Sequence, residues 1–302
     1  MLPALAVLAT IVAGRAAYPR LLELRQRARR RIDADGFIAG AAGVTRLREN
    51  APGVLLVHGG GDTPQVLADL ADFLHRDGFS VRVPLLEAHG RDLGALRGAA
   101  AVEWHAQVAQ ELDAMRRDHG WVGVVGLSMG GALAVKAASE RSDVDALVLL
   151  APYIAMPDVV RRMADTSAWW GWLVPYFPSF GSRSIRDQVA AGRALGHGLL
   201  TPAMLRALRD VVDSAWDALP DVSAPTLVVQ SREDNRIAAE SAESAFARLG
   251  SREKKFVWTN GAGHVITVDF GFQRVFELTR DWLEAHRSGV THQSGRARPG
   301  SR

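Results

Sequence analysis

The 302-residue chain contains no cysteine. Disulfides, thiolate nucleophiles and cysteine-held metals are therefore excluded, while the redox compartment stays open. Lysine is nearly missing as well: Lys136, Lys254 and Lys255 stand alone among arginines. Such a bias fits a GC-rich, bacterial genome. Charge of one sign is also scarce. The formal net charge is +3, and much of that surplus sits at the two ends. The middle is nearly balanced, so the basic footprint of a nucleic-acid binder is missing. No internal repeat is visible. No apolar run reaches the roughly 20 residues of a spanning helix.

What is present is apolar. Hydrophobic residues make up 48% of the chain and charged residues 23%, which predicts a sizeable buried core. The length suits one large domain or a domain with an insertion. Residues 2–14 (LPALAVLATIVAG) are almost wholly apolar, and arginines follow at 15, 20, 25, 27, 29, 30 and 31. No basic residue precedes the run, unlike in a secretory signal. Residues 1–31 therefore read as a short membrane anchor or interfacial helix, with residues 2–18 as its apolar part and a basic flank. The positive-inside rule would then keep the downstream domain cytoplasmic. The plainer alternative is a helix lying on the domain. Residues 288–302 are polar, Gly-rich and basic, and read as a disordered tail.

Between these ends the pattern alternates. Continuous apolar runs at 54–58, 79–86, 121–127 and 146–151 suit strands buried on both faces. Helical patterns lie at 64–76, 102–119 and 129–140. The segment FIAGAAGVTRL predicts an opening hairpin. After Pro152 the order stops. Residues 153–219 hold no strand-like run and are rich in Trp, Pro and Arg. The alternation then resumes with strands near 224–230 and 254–258 and helices near 239–249 and 270–286. This order predicts an α/β fold, a mostly parallel central sheet with helices on both faces. The core is expected at 32–152 and 220–287, with a helical cap inserted at 153–219.

One stretch carries chemistry. WVGVVGLSMGG (121–131) sets Ser128 on a turn between a buried strand and a helix. A serine hydroxyl must be held exposed, with a base and oxyanion donors beside it, before it attacks a carbonyl. A sharp strand-to-helix turn does this only if the residues two away lack side chains. Gly126 and Gly130 meet that need. The plainer alternative is a tight turn with a serine cap.

With LLVHGGG (55–61), VRVPLLEAHGRD (81–92), SREDNRIAAESA (231–242) and GAGHVITVD (261–269), this turn resembles the α/β-hydrolase superfamily. The similarity is greatest to the bacterial carboxylesterase and monoacylglycerol lipase branch. It spans residues 54 to about 285. The cap matches in position, not visibly in motif. The resemblance implies a nucleophile–acid–histidine order: Ser128, Asp234, His264. Glu233 competes with Asp234 for the acid's place. Asp269 also matches the pattern and reads here as a cap on the last helix. The oxyanion donors implied are the amides of Met129 and Gly60. Three glycines stand where many relatives carry a bulky residue, so Gly61 is an alternative donor. A phosphate-binding loop is disfavoured because no Lys-Ser/Thr pair follows. His58 reads as a structural hydrogen-bonder, and His89 as a satisfied loop residue. No cofactor is expected, and no histidine–carboxylate spacing suggests a metal.

The activity implied is serine ester hydrolysis of a small-molecule or lipid ester, of carboxylesterase, monoacylglycerol lipase or lysophospholipase type. A thioesterase or serine aminopeptidase would use the same triad, and a non-catalytic binder would keep the same fold. The cap is expected to cover the site, either with its aromatics forming an acyl pocket or with its tryptophans packing its own core.

Overall fold

The computed structural model describes residues 2–179 and 184–287. The expected tail at 288–302 lies outside them. Seven strands form the main sheet. They are β1 (Val44–Arg46), β2 (Gly53–Val57), β3 (Ser80–Val83), β4 (Val122–Leu127), β5 (Ala146–Leu150), β8 (Thr226–Ser231) and β9 (Lys254–Thr259). Their order is β1-β3-β2-β4-β5-β8-β9, and only β1 runs antiparallel. The opening hairpin does not form: Val44–Arg46 pairs with β3 instead, and Ile32 and Phe37 make only isolated bridges to Ile38 and Arg91.

Strand periodicity explains the two layers. Along β2, Leu55 and Val57 join one apolar cluster while Val54 and Leu56 join the other. The same alternation runs through β5. One face receives α3 (Ala101–Asp118), α4 (Met129–Ser139) and α8 (Ala239–Arg248). The other receives α2 (Gln65–Arg76) and α9 (Phe272–Arg287). Every residue of β2, β4, β5 and β8 is buried, as continuous apolar runs require.

The chain leaves β2 for β3 on one side and returns to place β4 on the other. The crevice between β2 and β4 is thus the topological switch point, where open α/β sheets bind ligands. Between β5 and β8 come α5 (Asp158–Trp170), α6 (Gln188–Arg193) and α7 (Pro202–Ala218). A small ribbon of β6 (Phe177–Pro178) and β7 (Leu199–Leu200) lies among them, which the lack of strand-like runs did not foretell. Two-residue strands carry no readable period. α7 reaches into the main core through Met204, Ala207, Val211 and Ala215.

The helix α1 (Leu2–Arg29) is 28 residues long. Among the described residues no helix is long and apolar enough to cross a membrane. Arg15 interrupts the apolar run, and from Pro19 onward the helix lies on the domain. Leu22 packs against Leu93, Leu96 and Tyr176. The Tyr176 hydroxyl donates to Glu23 at 2.7 Å, and Arg97 reaches both groups. Arg27 pairs with Asp92 at 3.1 Å, and Arg30, just past the helix, donates to the Gly196 carbonyl at 2.9 Å.

Candidate active site

β4 ends at Leu127, and Ser128 follows it with a φ of 55° and a ψ of −120°, which place a non-glycine residue in the left-handed half of the map. That costs on the order of 1–3 kcal/mol and persists only where the surroundings over-determine it. Here they do. The Ser128 amide donates to the Leu150 carbonyl at the end of β5. The Ser128 carbonyl accepts from the amides of Gly131, Ala132 and Tyr153. The turn is also too tight for side chains. A Cβ at Gly126 would lie 2.3 Å from the Gly130 carbonyl oxygen, and one at Gly130 would lie 2.1 Å from that of Val57.

The loops after β8 and β9 bring two more expected residues to this turn. His264 Nε2 lies 2.7 Å from Ser128 Oγ, and His264 Nδ1 lies 2.8 Å from Asp234 Oδ2. A carboxylate only accepts, so Nδ1 carries the proton and Nε2 is free to accept from the serine hydroxyl. The same Asp234 oxygen accepts from the Gln230 side-chain Nε2 at 2.7 Å. The other accepts from the amides of Arg236 and Ile237. Burial opposes ionisation of Asp234, but these bonds and His264 together hold its pKa below the ordinary value. Glu233 does not reach the imidazole. It is exposed and accepts from the Gly261 amide at 2.9 Å.

The loop after β2 supplies Gly60 and Gly61. Gly60 packs against Met129, with a built Cβ 3.2 Å from its sulfur. Among the described residues, neither the Gly60 nor the Met129 amide has a protein acceptor. Gly61, at φ +78°, turns its carbonyl toward Gly196. His58 is fully buried: Nδ1 bonds the Gly59 carbonyl, and Nε2 accepts from the Leu86 amide. Burial lowers its pKa to about 3, so it stays neutral and holds the loop. Burial also lowers that of His89 to about 4. Its Nδ1 bonds the Glu87 carbonyl, but its buried Nε2 has no partner, so it is only half satisfied.

Ser128, His264, Gly60, Gly61 and Met129 line a cleft of about 700 Å³ beneath the segment between β5 and β8. Its apolar wall is aliphatic: Val160, Ile185, Leu199, Leu200, Leu205 and Leu208. The tryptophans do not form it. Trp170 packs on Phe177, with ring centres 5.5 Å apart, while Trp169 and Trp172 face outward. Among the described residues, no group of three or more histidine, aspartate or glutamate side chains is arranged to hold a metal ion.

Two polar residues here escaped the sequence reading, and a third was misread. Asp62 follows the glycines and lies 2.7 Å from a Cβ built at Gly59, itself 3.2 Å from Ser128 Cβ. Burial pushes its carboxyl up to about 6, against the opposing pull of His264 and Arg236. Arg236 lines the cleft two positions after the acid, and its Nε donates to Ser184 Oγ at 2.8 Å. Asp269 is buried, but its carboxylate does not cap α9. It accepts from the amides of Gly263, Arg186 and Asp187 at 2.7, 2.7 and 2.8 Å, tying the histidine loop to the segment between β5 and β8. Only its place five residues after His264 hinted at a role in this loop.

Asp62 makes stability depend on pH in a stated direction. Between about pH 4 and 6 the folded state keeps a proton that the unfolded chain has released, so stability falls as pH rises through that window. Asp62→Asn removes this penalty. Its stability gain over the parent grows by about 2 kcal/mol between pH 4 and pH 7. Unfolding measured across that range checks it, and an offset independent of pH overturns it.

Residues 49–270 match the family described as serine aminopeptidase, S33 (Hydrolase_4). The chain is 27% identical over 239 residues to the thermostable monoacylglycerol lipase of Bacillus sp. (strain H-257), covering 79% of this chain and 93% of that one. It is 24% identical over 234 residues to the carboxylesterase of Bacillus subtilis (strain 168), covering 76% and 92%. Among solved structures, one from work on two metagenome-derived lipolytic enzymes, LipS and LipT, superposes with a TM-score of 0.76 at 25% identity, covering 83% of this chain and all of that one. The chain has the α/β-hydrolase fold and belongs to the serine aminopeptidase S33 family.

Proposed function

We propose that this protein is a carboxylic ester hydrolase working through Ser128, His264 and Asp234. Ser128 Oγ attacks the acyl carbonyl while His264 Nε2 takes its proton. Asp234 holds the imidazole in the right tautomer and stabilises the imidazolium. The Gly60 and Met129 amides receive the oxyanion, and the N-terminus of α4 favours the same charge. His264 then protonates the leaving alcohol. Water, deprotonated by the same nitrogen, releases the acid from Ser128. The observation that carries this reading is the pair of short hydrogen bonds, 2.7 and 2.8 Å, linking hydroxyl, imidazole and carboxylate in one line.

The substrate class follows from the cleft. Its aliphatic wall suits an acyl chain. Its polar groups, Asp62, Tyr153 and Arg236, suit an alcohol that carries further hydroxyls. A monoacylglycerol or a lysolipid has both parts, and two of the similar proteins are a monoacylglycerol lipase and a carboxylesterase. A serine aminopeptidase is the second reading. Asp62, a carboxylate near the nucleophile, favours it by offering a partner to a free amine.

A panel of monoacylglycerols, simple esters, thioesters and aminoacyl amides separates the two. Monoacylglycerols are expected to show the highest kcat/KM, with aminoacyl amides at least about a hundredfold lower, the discrimination a site built for a hydroxyl can reach. Amide cleavage equal to ester cleavage overturns the first reading in favour of the second.

A further inference from the structure

A second cleft, of about 580 Å³, shares no lining residue with the first. It opens between α1 and the cap segment. Arg15, Arg20, Arg97 and Arg206 line it against a single acid, Glu23. That acid is already taken, accepting from Tyr176 and Arg97. Among the described residues, Arg206 donates only to Ser167 Oγ, at 2.9 Å, and Arg20 has no acidic partner. The cleft therefore keeps a surplus of guanidinium groups, whose planar forks match phosphate oxygens.

Trp172 lines the cleft, and apolar residues near it in sequence are exposed. Trp169 is 83% exposed and Trp172 is 56% exposed, with Leu173 and Val174 beside them. The Arg15 guanidinium stacks 5.7 Å from the centre of the Trp172 ring and donates to the Trp172 carbonyl. N-terminal to Arg15, the same helix continues through the apolar residues 2–14. That stretch measures about 20 Å against a hydrocarbon core of roughly 30 Å, so it is too short to span but long enough for one leaflet.

We propose that this cleft seats the phosphate groups of anionic phospholipids. The protein then docks on one face of a bilayer, with Trp169 and Trp172 at headgroup depth and the apolar start of α1 in the acyl layer. Tryptophan favours that depth, and arginine beside an anionic surface adds attraction that salt weakens. A free phosphate would need the guanidinium groups but not the exposed tryptophans or the apolar helix. The bilayer accounts for all three.

The full chain is mixed with vesicles of phosphatidylcholine alone, or with added phosphatidylglycerol, and sedimented. It is expected to partition at least about tenfold more strongly onto the anionic vesicles, with the excess lost in high salt. Arg15→Glu/Arg20→Glu, at exposed positions, is expected to lower that partition at least about tenfold. Hydrolysis of a water-soluble ester by this variant stays unchanged. Trp172→Ala, a second variant, is expected to weaken binding to both vesicle types. Equal partition onto neutral and anionic vesicles overturns the proposal. So does undiminished binding by the double variant, or a protein that binds inorganic phosphate but no vesicle.

Discussion

Ser128→Ala is expected to abolish ester hydrolysis, with kcat falling by about 10⁶-fold, while the protein stays folded. The size follows from the line of hydrogen bonds. On the proposed mechanism, without the hydroxyl 2.7 Å away His264 would have no proton to take, and the Asp234 bond would orient an idle base. Groups that act as one unit lose their effect together. Ser128→Ala/His264→Ala is therefore expected to be no worse than either single change. Labelling by a fluorophosphonate is expected to vanish in Ser128→Ala. A well-folded parent that takes no label would instead mark a non-catalytic binder. Stability separates chemistry from strain. Alanine keeps the unfavourable φ of 55°, whereas Ser128→Gly relieves it and is expected to exceed Ser128→Ala by about 1 kcal/mol.

Gly130→Ala is expected to cost more than about 4 kcal/mol and to remove activity with it. Its methyl would sit 2.1 Å from the Val57 carbonyl oxygen, 2.6 Å from the carbon and 2.7 Å from the His58 oxygen. All three are backbone atoms of β2 and the residue after it. β2 is paired on both sides and buried throughout, so neither it nor α4 can retreat. Gly131→Ala should be milder, since its nearest neighbour is the Pro152 side chain at 3.0 Å. Gly120→Ala meets nothing within 4 Å and serves as the neutral control. Denaturant midpoints rank the three. A Gly130→Ala protein with the parental midpoint would show that β2 and α4 do not approach this closely.

The ranking also shows why this turn was legible in the sequence. Glycines two residues either side of a serine, after a buried strand and before a helix, are a local signature of a local constraint. Strand and helix positions were legible for a similar reason. Apolar runs and helical periods record which faces are buried, and β2, β4, β5 and α2 lie within a residue or two of their expected bounds. The ribbon at 177–178 and 199–200 was not, because two-residue strands leave no period. Asp269 was misread for a related reason. An acid before a helix looks like a cap whether its carboxylate turns to the helix or, as here, to amides of Gly263, Arg186 and Asp187.

Along the chain one can see a strand-and-helix order, a nucleophile turn, and an acid and a histidine in family positions. Each depends on neighbours a few residues away, and short-range sterics write themselves into residue type and spacing. Which groups meet could not be read that way. The aliphatic wall in place of the tryptophans, the half-buried Asp62 beside the nucleophile, and α1 lying on its own domain all arise from contacts between distant segments. Those contacts follow from strand order and from how helices seat on the sheet, and no single stretch of sequence carries them.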